Sequence, residues 1–390
     1  MSDKQVNEFI GNRDQHIDTD LKAVNFVGAH DIVICAGKAG SSDPDDFFVI
    51  GMTQNFRKQD GRPMPTVGEI GSNATVALFE DSQKSGGFDR MFMLNRNLLY
   101  GMYYATYVDG GLSGPADFKK ISELDLNTEE FLEPGSNDTK DIVGGDDVIL
   151  AVGSGPDANI GELEVISLVQ EMTLNSTMPT TQYPELGSYA KYVISGKGTK
   201  SMAMQRLFSD EGNILKKLYK YPIEELGLDT DKVMWSDLDG RLFTESIYPV
   251  LLFMKDEKIQ SAVMLEKAKV GSISDGVVQG QEASIESVSL SWGNTVYLPP
   301  EVVNLPAAAP GSLKNSKIWL DLDNKAFRVP VDIRLLYLRE DLSTPGATEI
   351  IATQDLKNVL FSDVRTQITG AGRTTVEGCS MQWEKTITES

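Results

Sequence analysis

The stretch RPMPTVGEIGS (residues 62 to 72) returns in altered form as MPTTQYPELGS (residues 178 to 188). Both lie in one gapless register: at an offset of 116 residues Gln54 meets Gln170, and Asp31, Gly37 and Val49 meet Asp147, Gly153 and Val165. Further along, Pro63, Glu69, Gly71 and Lys84 meet Pro179, Glu185, Gly187 and Lys200, while Arg90, Phe92 and Tyr103 meet Arg206, Phe208 and Tyr219. A shared register from 31 to 104 against 147 to 220 marks an internal duplication, which decides the fold before any single element is assigned.

A second repeat lies downstream. MWSDLDGRLFTESIYPVLLFMKDE, from Met234, aligns with IWLDLDNKAFRVPVDIRLLYLRED, from Ile318, at an offset of 84 that pairs Trp235 with Trp319. Beyond the turn-rich STPGATE (343 to 349) the offset becomes 91, and Leu265, Glu286, Ser289, Trp292 and Thr295 meet Leu356, Glu377, Ser380, Trp383 and Thr386. Extra length in such a turn costs little. The order front, front, back, back predicts nesting. Residues 147 to 297 then form one continuous domain, inserted into an outer domain made of 31 to 104 plus 318 to 389, because the other pairing makes the connections cross. Residues 1 to 30 have no twin and read as an N-terminal arm. Residues 105 to 146 read as an acidic connector rich in Gly, Ser and Pro, and 298 to 317 as a linker rich in Pro and Ala.

Within each copy the pattern is mainly β with short helices. DIVICAG and DDVILAVG are short apolar runs ending at glycine, and ATVALF alternates after its Gly-Ser pair. In LNRNLLYGMYY the period changes, and Leu94, Leu98, Leu99, Met102 and Tyr103 share a helical face, as do Ile214, Leu215, Leu218 and Tyr219 in the twin. In IESVSLSW, Val288, Leu290 and Trp292 point one way, and in VEGCSMQW so do Cys379, Met381 and Trp383. Trp235, Trp292, Trp319 and Trp383 are therefore expected in the two cores. Glycine at 71 and 187 suits a strand-to-strand corner, with Glu69 and Glu185 bonding nearby backbone donors.

Composition bounds the function. The net charge of −21 over 390 residues opposes tight binding to DNA or RNA. No run approaches about 18 apolar residues, and the opening MSDKQVNEFIGN lacks the form of a secretory signal, so a soluble chain made in the cytosol without membrane insertion is expected. The two cysteines have Ala151 and Val288 as twins of Cys35 and Cys379, which favours core packing over redox chemistry. His16 and His30, the only histidines, precede the repeat, so neither repeated domain holds a Ser-His or Cys-His centre. Asp237, Asp239, Asp321 and Asp323 could offer oxygen ligands to a cation, but the later ligands of a calcium loop are missing and solvated turns are the better reading. GKAGSS at 37, GSGPDANIG at 153 and GKGTKS at 196 lack the spacing of a phosphate-binding loop. Arg90 and Arg206 each precede the helix of their copy. An ion pair with Glu69 or Glu185 accounts for both without a ligand. The expectation is a protein that is not an enzyme and carries no cofactor and no metal.

The stretch FFVIGMTQNFRKQDGRPMPTVGEIGS, then a strand, then RMFMLNRNLLYGM, resembles the order of strand, polar loop, Gly-Ser corner and helix in tailed-bacteriophage tail tube proteins. LKNVLFSDVRTQITGAGRTTVEGCSMQWEKT is similar to their last two strands. The resemblance implies two tube-like β-sandwich or barrel domains, duplicated in tandem and one inserted in the other. It implies sheets that join edge to edge into rings, which stack into a conduit for DNA, and hence a virion tail protein made in the host cytoplasm. Its partners would be itself, hexameric or trimeric and pseudo-hexameric, and neighbouring tail proteins such as sheath or baseplate, with DNA only in transit. Acidity would keep a lumen from holding that DNA. The alternative from the residues themselves is a tandem β-sandwich adhesin or carbohydrate-binding module.

Overall fold

The structure is a computed structural model that describes residues 32–61, 66–68, 75–77, 83–91, 98, 120–121, 143–156, 158, 163–184, 191–195, 198–208, 214–228, 244–255, 258–276, 284–298, 320–321, 330–340, 348–370 and 375–389. The chain begins with strands β1 (Ile32–Lys38), β2 (Phe47–Met52), β3 (Asn55–Gly61), β4 (Thr66–Gly68), β5 (Thr75–Ala77) and β6 (Gln83–Met91). The second copy follows with β7 (Val148–Gly153), β8 (Glu164–Ile166), β9 (Val169–Thr177), β10 (Thr180–Pro184), β11 (Lys191–Ser195) and β12 (Thr199–Leu207). Two short helices come next, α1 (Ile214–Leu218) and α2 (Lys220–Glu225). Then come β13 (Tyr248–Lys255), β14 (Lys258–Glu266), β15 (Lys269–Gly276), β16 (Ile285–Ser291) and β17 (Asn294–Leu298). The last strands are β18 (Leu320–Asp321), β19 (Val331–Glu340), β20 (Thr348–Thr369), β21 (Val376–Trp383) and β22 (Lys385–Glu389).

These strands form two β-sheet domains. The split domain takes its strands from both ends of the chain, with β2-β1-β19-β20-β22 as one sheet and the distal half of β20 with β21, β6 and β3 as the other. The middle domain pairs β8-β7-β13-β14-β17-β18 in one sheet and β15-β16-β12-β9 in the other. The offsets of 116, 84 and 91 read from the sequence carry each ladder onto its twin without slippage. Ile32 opposite Tyr337 becomes Val148 opposite Phe253, and Glu377 opposite Arg90 becomes Glu286 opposite Arg206. Among the described strands no ladder closes either domain into a barrel.

Strand alternation assigns the layers. Along β16, Glu286, Val288 and Leu290 are buried while the intervening residues are partly open, as a sheet with one face on a core requires. The central strands β13 and β14 are apolar on both faces: Leu251, Phe253, Val263 and Leu265 enter the main core, and Val250, Leu252, Ala262 and Met264 a second cluster behind the sheet. In the split domain, Ile32, Ile34 and Ala36 face one cluster, and Val33 and Cys35 the other. Helix α1 closes the main core with Ile214, Leu215 and Leu218, followed by Tyr219, all four at 0% exposure. Of the twin helical face, Leu98 is described and is equally buried.

One difference between the copies lies in the strand that bridges the sheets. β20 runs unbroken through both sheets of the split domain, whereas its counterpart is divided into β14 and β15. The register point is nevertheless shared, because Asn358 and its twin Lys267 both adopt φ 54, the left-handed region, where the strand turns from one sheet to the next.

Candidate functional site

Five contacts recur in both copies, at twin positions or one residue from them. Arg90 donates from Nη2 to Glu377 Oε2 at 2.8 Å and from Nη1 to the carbonyl of Ile50 at 2.7 Å. Arg206 donates from Nη1 to Glu286 Oε2 at 2.9 Å and from Nε to the carbonyl of Ser167 at 2.9 Å. The same carboxylates accept from the backbone N–H of Leu98 (3.3 Å) and of Ile214 (3.4 Å), so each acid ties an arginine to the helix region. Trp292 Nε1 reaches Thr295 Oγ1 at 2.8 Å and Trp383 Nε1 reaches Thr386 Oγ1 at 2.9 Å. Lys200 and Lys84 each donate to a backbone carbonyl of the tryptophan corner, at Gly293 and Glu384.

Both Arg-Glu pairs are buried, at 1%/1% and 0%/1% side-chain exposure. Burial pushes the carboxyls of Glu286 and Glu377 up, against the pull of the arginine and of the helix-region N–H. An isolated charge here would be costly, so the pair works as a unit. Arg90 and Arg206 thus have partners in Glu377 and Glu286, while Glu69, Gly71, Glu185 and Gly187 lie outside the described residues, as do Trp235 and Trp319. The strands around the two Gly-Ser stretches, β4 with β5 and β10 with β11, pair antiparallel. Trp292 (8% exposed) and Trp383 (1%) lie in the cores. The cysteines are buried too, and desolvation raises both thiol pKa values well above the usual range. Of the paired DLD segments only Asp321 is described, at the end of β18. Among the described residues no group of three or more His, Cys, Asp or Glu is placed to hold a metal ion, and no helix is long and apolar enough to cross a membrane.

The split domain carries a polar network that its twin lacks. Asp332 accepts from Lys357 Nζ at 2.9 Å and from the N–H groups of Gly40 and Asn358 at 3.0 Å each. Arg334 forks onto Asp355 at 2.7 and 2.9 Å and lies 4.3 Å from the centre of the Phe47 ring. Desolvation would raise Asp355, but Arg334 and Lys357 prevail and hold its carboxyl below the usual range. The twins of Arg334 and Asp355 are Val250 and Met264, in the apolar cluster of the middle domain.

The feature with the clearest functional bearing is the join between domains. β9 of the middle domain pairs antiparallel with the distal half of β20, from Thr177 opposite Asp363 to Thr369 opposite Glu171. The N–H of Met178 bonds the carbonyl of Ser362, and that of Gly370 bonds the carbonyl of Gln170, both at 2.7 Å. Each domain also lends a side chain to the other: Met178 enters the split domain's core, and Ile368 the core of the middle domain. The result is one eight-stranded layer, β15-β16-β12-β9-β20-β21-β6-β3. No ladder among the described residues joins the two other sheets of the domains. The face of the layer turned from the cores is rich in hydroxyl and amide groups, including Ser272, Ser274, Ser287, Ser289, Ser291, Ser201, Thr173, Asn175, Gln367 and Ser380. Its acids Glu171, Asp363 and Asp89 are matched in number by Lys269, Arg365 and Arg57. Arg365 donates to Asp89 at 2.9 Å, and Thr177 to Asp363 at 3.2 Å. The acidity of the chain is therefore not concentrated on this face among the described residues.

No family model matches the chain, and no curated protein does. In structure the chain is similar, at low sequence identity, to tube proteins of phage tails and contractile injection systems. It is similar to the SPP1 tail tube over 42% of this chain and 87% of that one, with 16% identity and a TM-score of 0.29. For a chain of the extended sheath-tube complex of PVC, an extracellular contractile injection system, the coverages are 39% and 88%, the identity 10% and the TM-score 0.28. For the Hcp protein they are 40% and 94%, with 10% identity and a TM-score of 0.22.

Proposed function

We propose that the chain is a virion structural protein, the subunit of a phage tail tube or of a tube-like hub ring through which DNA passes. The observation that carries this reading is the β9-β20 ladder: two copies of one domain meet head to tail, edge to edge, within a single sheet. Contacts of this heterologous kind generate rings or filaments when repeated. In such a ring the continuous layer lies at the smaller radius, and the separate second sheets splay outward. The hydroxyl-rich, charge-balanced face then lines the channel, where it offers passing DNA little cationic hold. This replaces the expectation of an acidic lining.

The domain boundaries we propose are 31 to 104 with 318 to 389 for the outer domain and 147 to 297 for the inserted one. Both domains then occupy successive positions around one circumference, and three chains would supply six positions. Sheath or baseplate proteins would pack on the outer surface. Electron microscopy of the purified chain tests the reading. Rings or stacked tubes with an open centre are expected, and persistent monomers that bind glycans would instead identify an adhesin.

A further inference from the structure

The internal junction uses one edge of each domain and leaves the twin edge of the other uncovered. β9 corresponds to β3, and the distal half of β20 to β15. Among the described residues β3 pairs only with β6, and β15 only with β16. Both strands are largely exposed, with the patterns eieeeei and eBeeieee. An unpaired edge is a ready template for another strand.

The two edges also match in detail. β15 has a register shift between Val270 and Ser272, and β20 has the corresponding shift between Phe361 and Asp363, beside the residues that accept β9. A bulge at this place therefore does not block pairing. Moving the internal ladder by the repeat offsets brings Gly61 opposite Ser272, Gln59 opposite Ser274 and Lys58 opposite Asp275. The internal twins of Lys58 and Asp275 are Leu174 and Thr366. Opposite charges thus stand where the internal junction has a neutral pair, and cross-strand charge pairs of this kind favour pairing.

Building on the ring reading, we propose that β3 of one chain adds to β15 of a second copy in this register, so that the contact between chains repeats the contact within one. The test mixes two single variants, Gln59→Cys and Ser274→Cys, under mild oxidation. Both positions are exposed, and the native thiols are buried. A reducible two-chain band from the mixture, absent from either variant alone and weaker when Ser272→Cys replaces Ser274→Cys, is the expected result. Directly opposite Cβ atoms lie about 4.5–5.5 Å apart and diagonal ones farther. Lys58→Glu and Asp275→Lys should each weaken assembly roughly two- to fivefold, and together restore it. Rings seen by microscopy without the cross-link would overturn the pairing and leave the tube reading standing. Monomers that neither cross-link nor assemble at high concentration would overturn both.

Discussion

Arg206 and Glu286 hold the helix region of the middle domain to its sheet from a place water does not reach, and Arg90 and Glu377 do the same in the split domain. Removing one partner leaves the other buried and unpaired, so Arg206→Ala should cost about 3–5 kcal/mol in chemical denaturation. A loss below about 1 kcal/mol would mean that the pair is solvated. The arginines were legible from the repeat, but their partners were read only as twins of each other. The signal was nevertheless present: Glu286 is in phase with Val288, Leu290 and Trp292, and an acid on a buried face needs a cation. At Asp355 the sign of the pH effect follows from its lowered pKa. Its ionised form contributes stability above the unfolded-state pKa, and this is lost as the pH falls through the folded-state value. Asp355→Asn should therefore lower stability at neutral pH and flatten the acid limb of a stability-pH curve. An unchanged acid limb would remove Asp355 from the account.

At the scale of elements, apolar runs and alternation located β1, β7, β16 and β21 because each packs on a core, and the repeat offsets matched each with its twin in the other copy. The join between domains was not legible, since edge pairing between two sheets leaves no periodic trace in either strand. The point where this strand turns from one sheet to the next was equally hidden: Asn358 and Lys267 both pass through φ 54, a conformation sequence patterns do not mark. The twin position gives a test. Lys267→Val places a β-branched residue in the left-handed region and should destabilise the middle domain by about 1 kcal/mol or more, whereas Lys267→Gly should not. Equal effects from both would show that the backbone there is not held in that conformation.

For the whole molecule, the duplication gives one chain a junction between its own domains and leaves the twin edges, β3 and β15, without a ladder to another domain among the described residues. In the proposed ring the chain carries both halves of a repeating contact, so growth by that contact adds two domains at a time. The charge of −21 makes separate chains repel one another, while the residues of the shared sheet face balance their own charges. Electron cryo-microscopy of the assembled protein at a resolution that separates strands measures this most directly. A closed ring should appear in which split and middle domains alternate around one circumference within an unbroken inner sheet. A ring lined by one domain, with the other set outside it, would contradict the account.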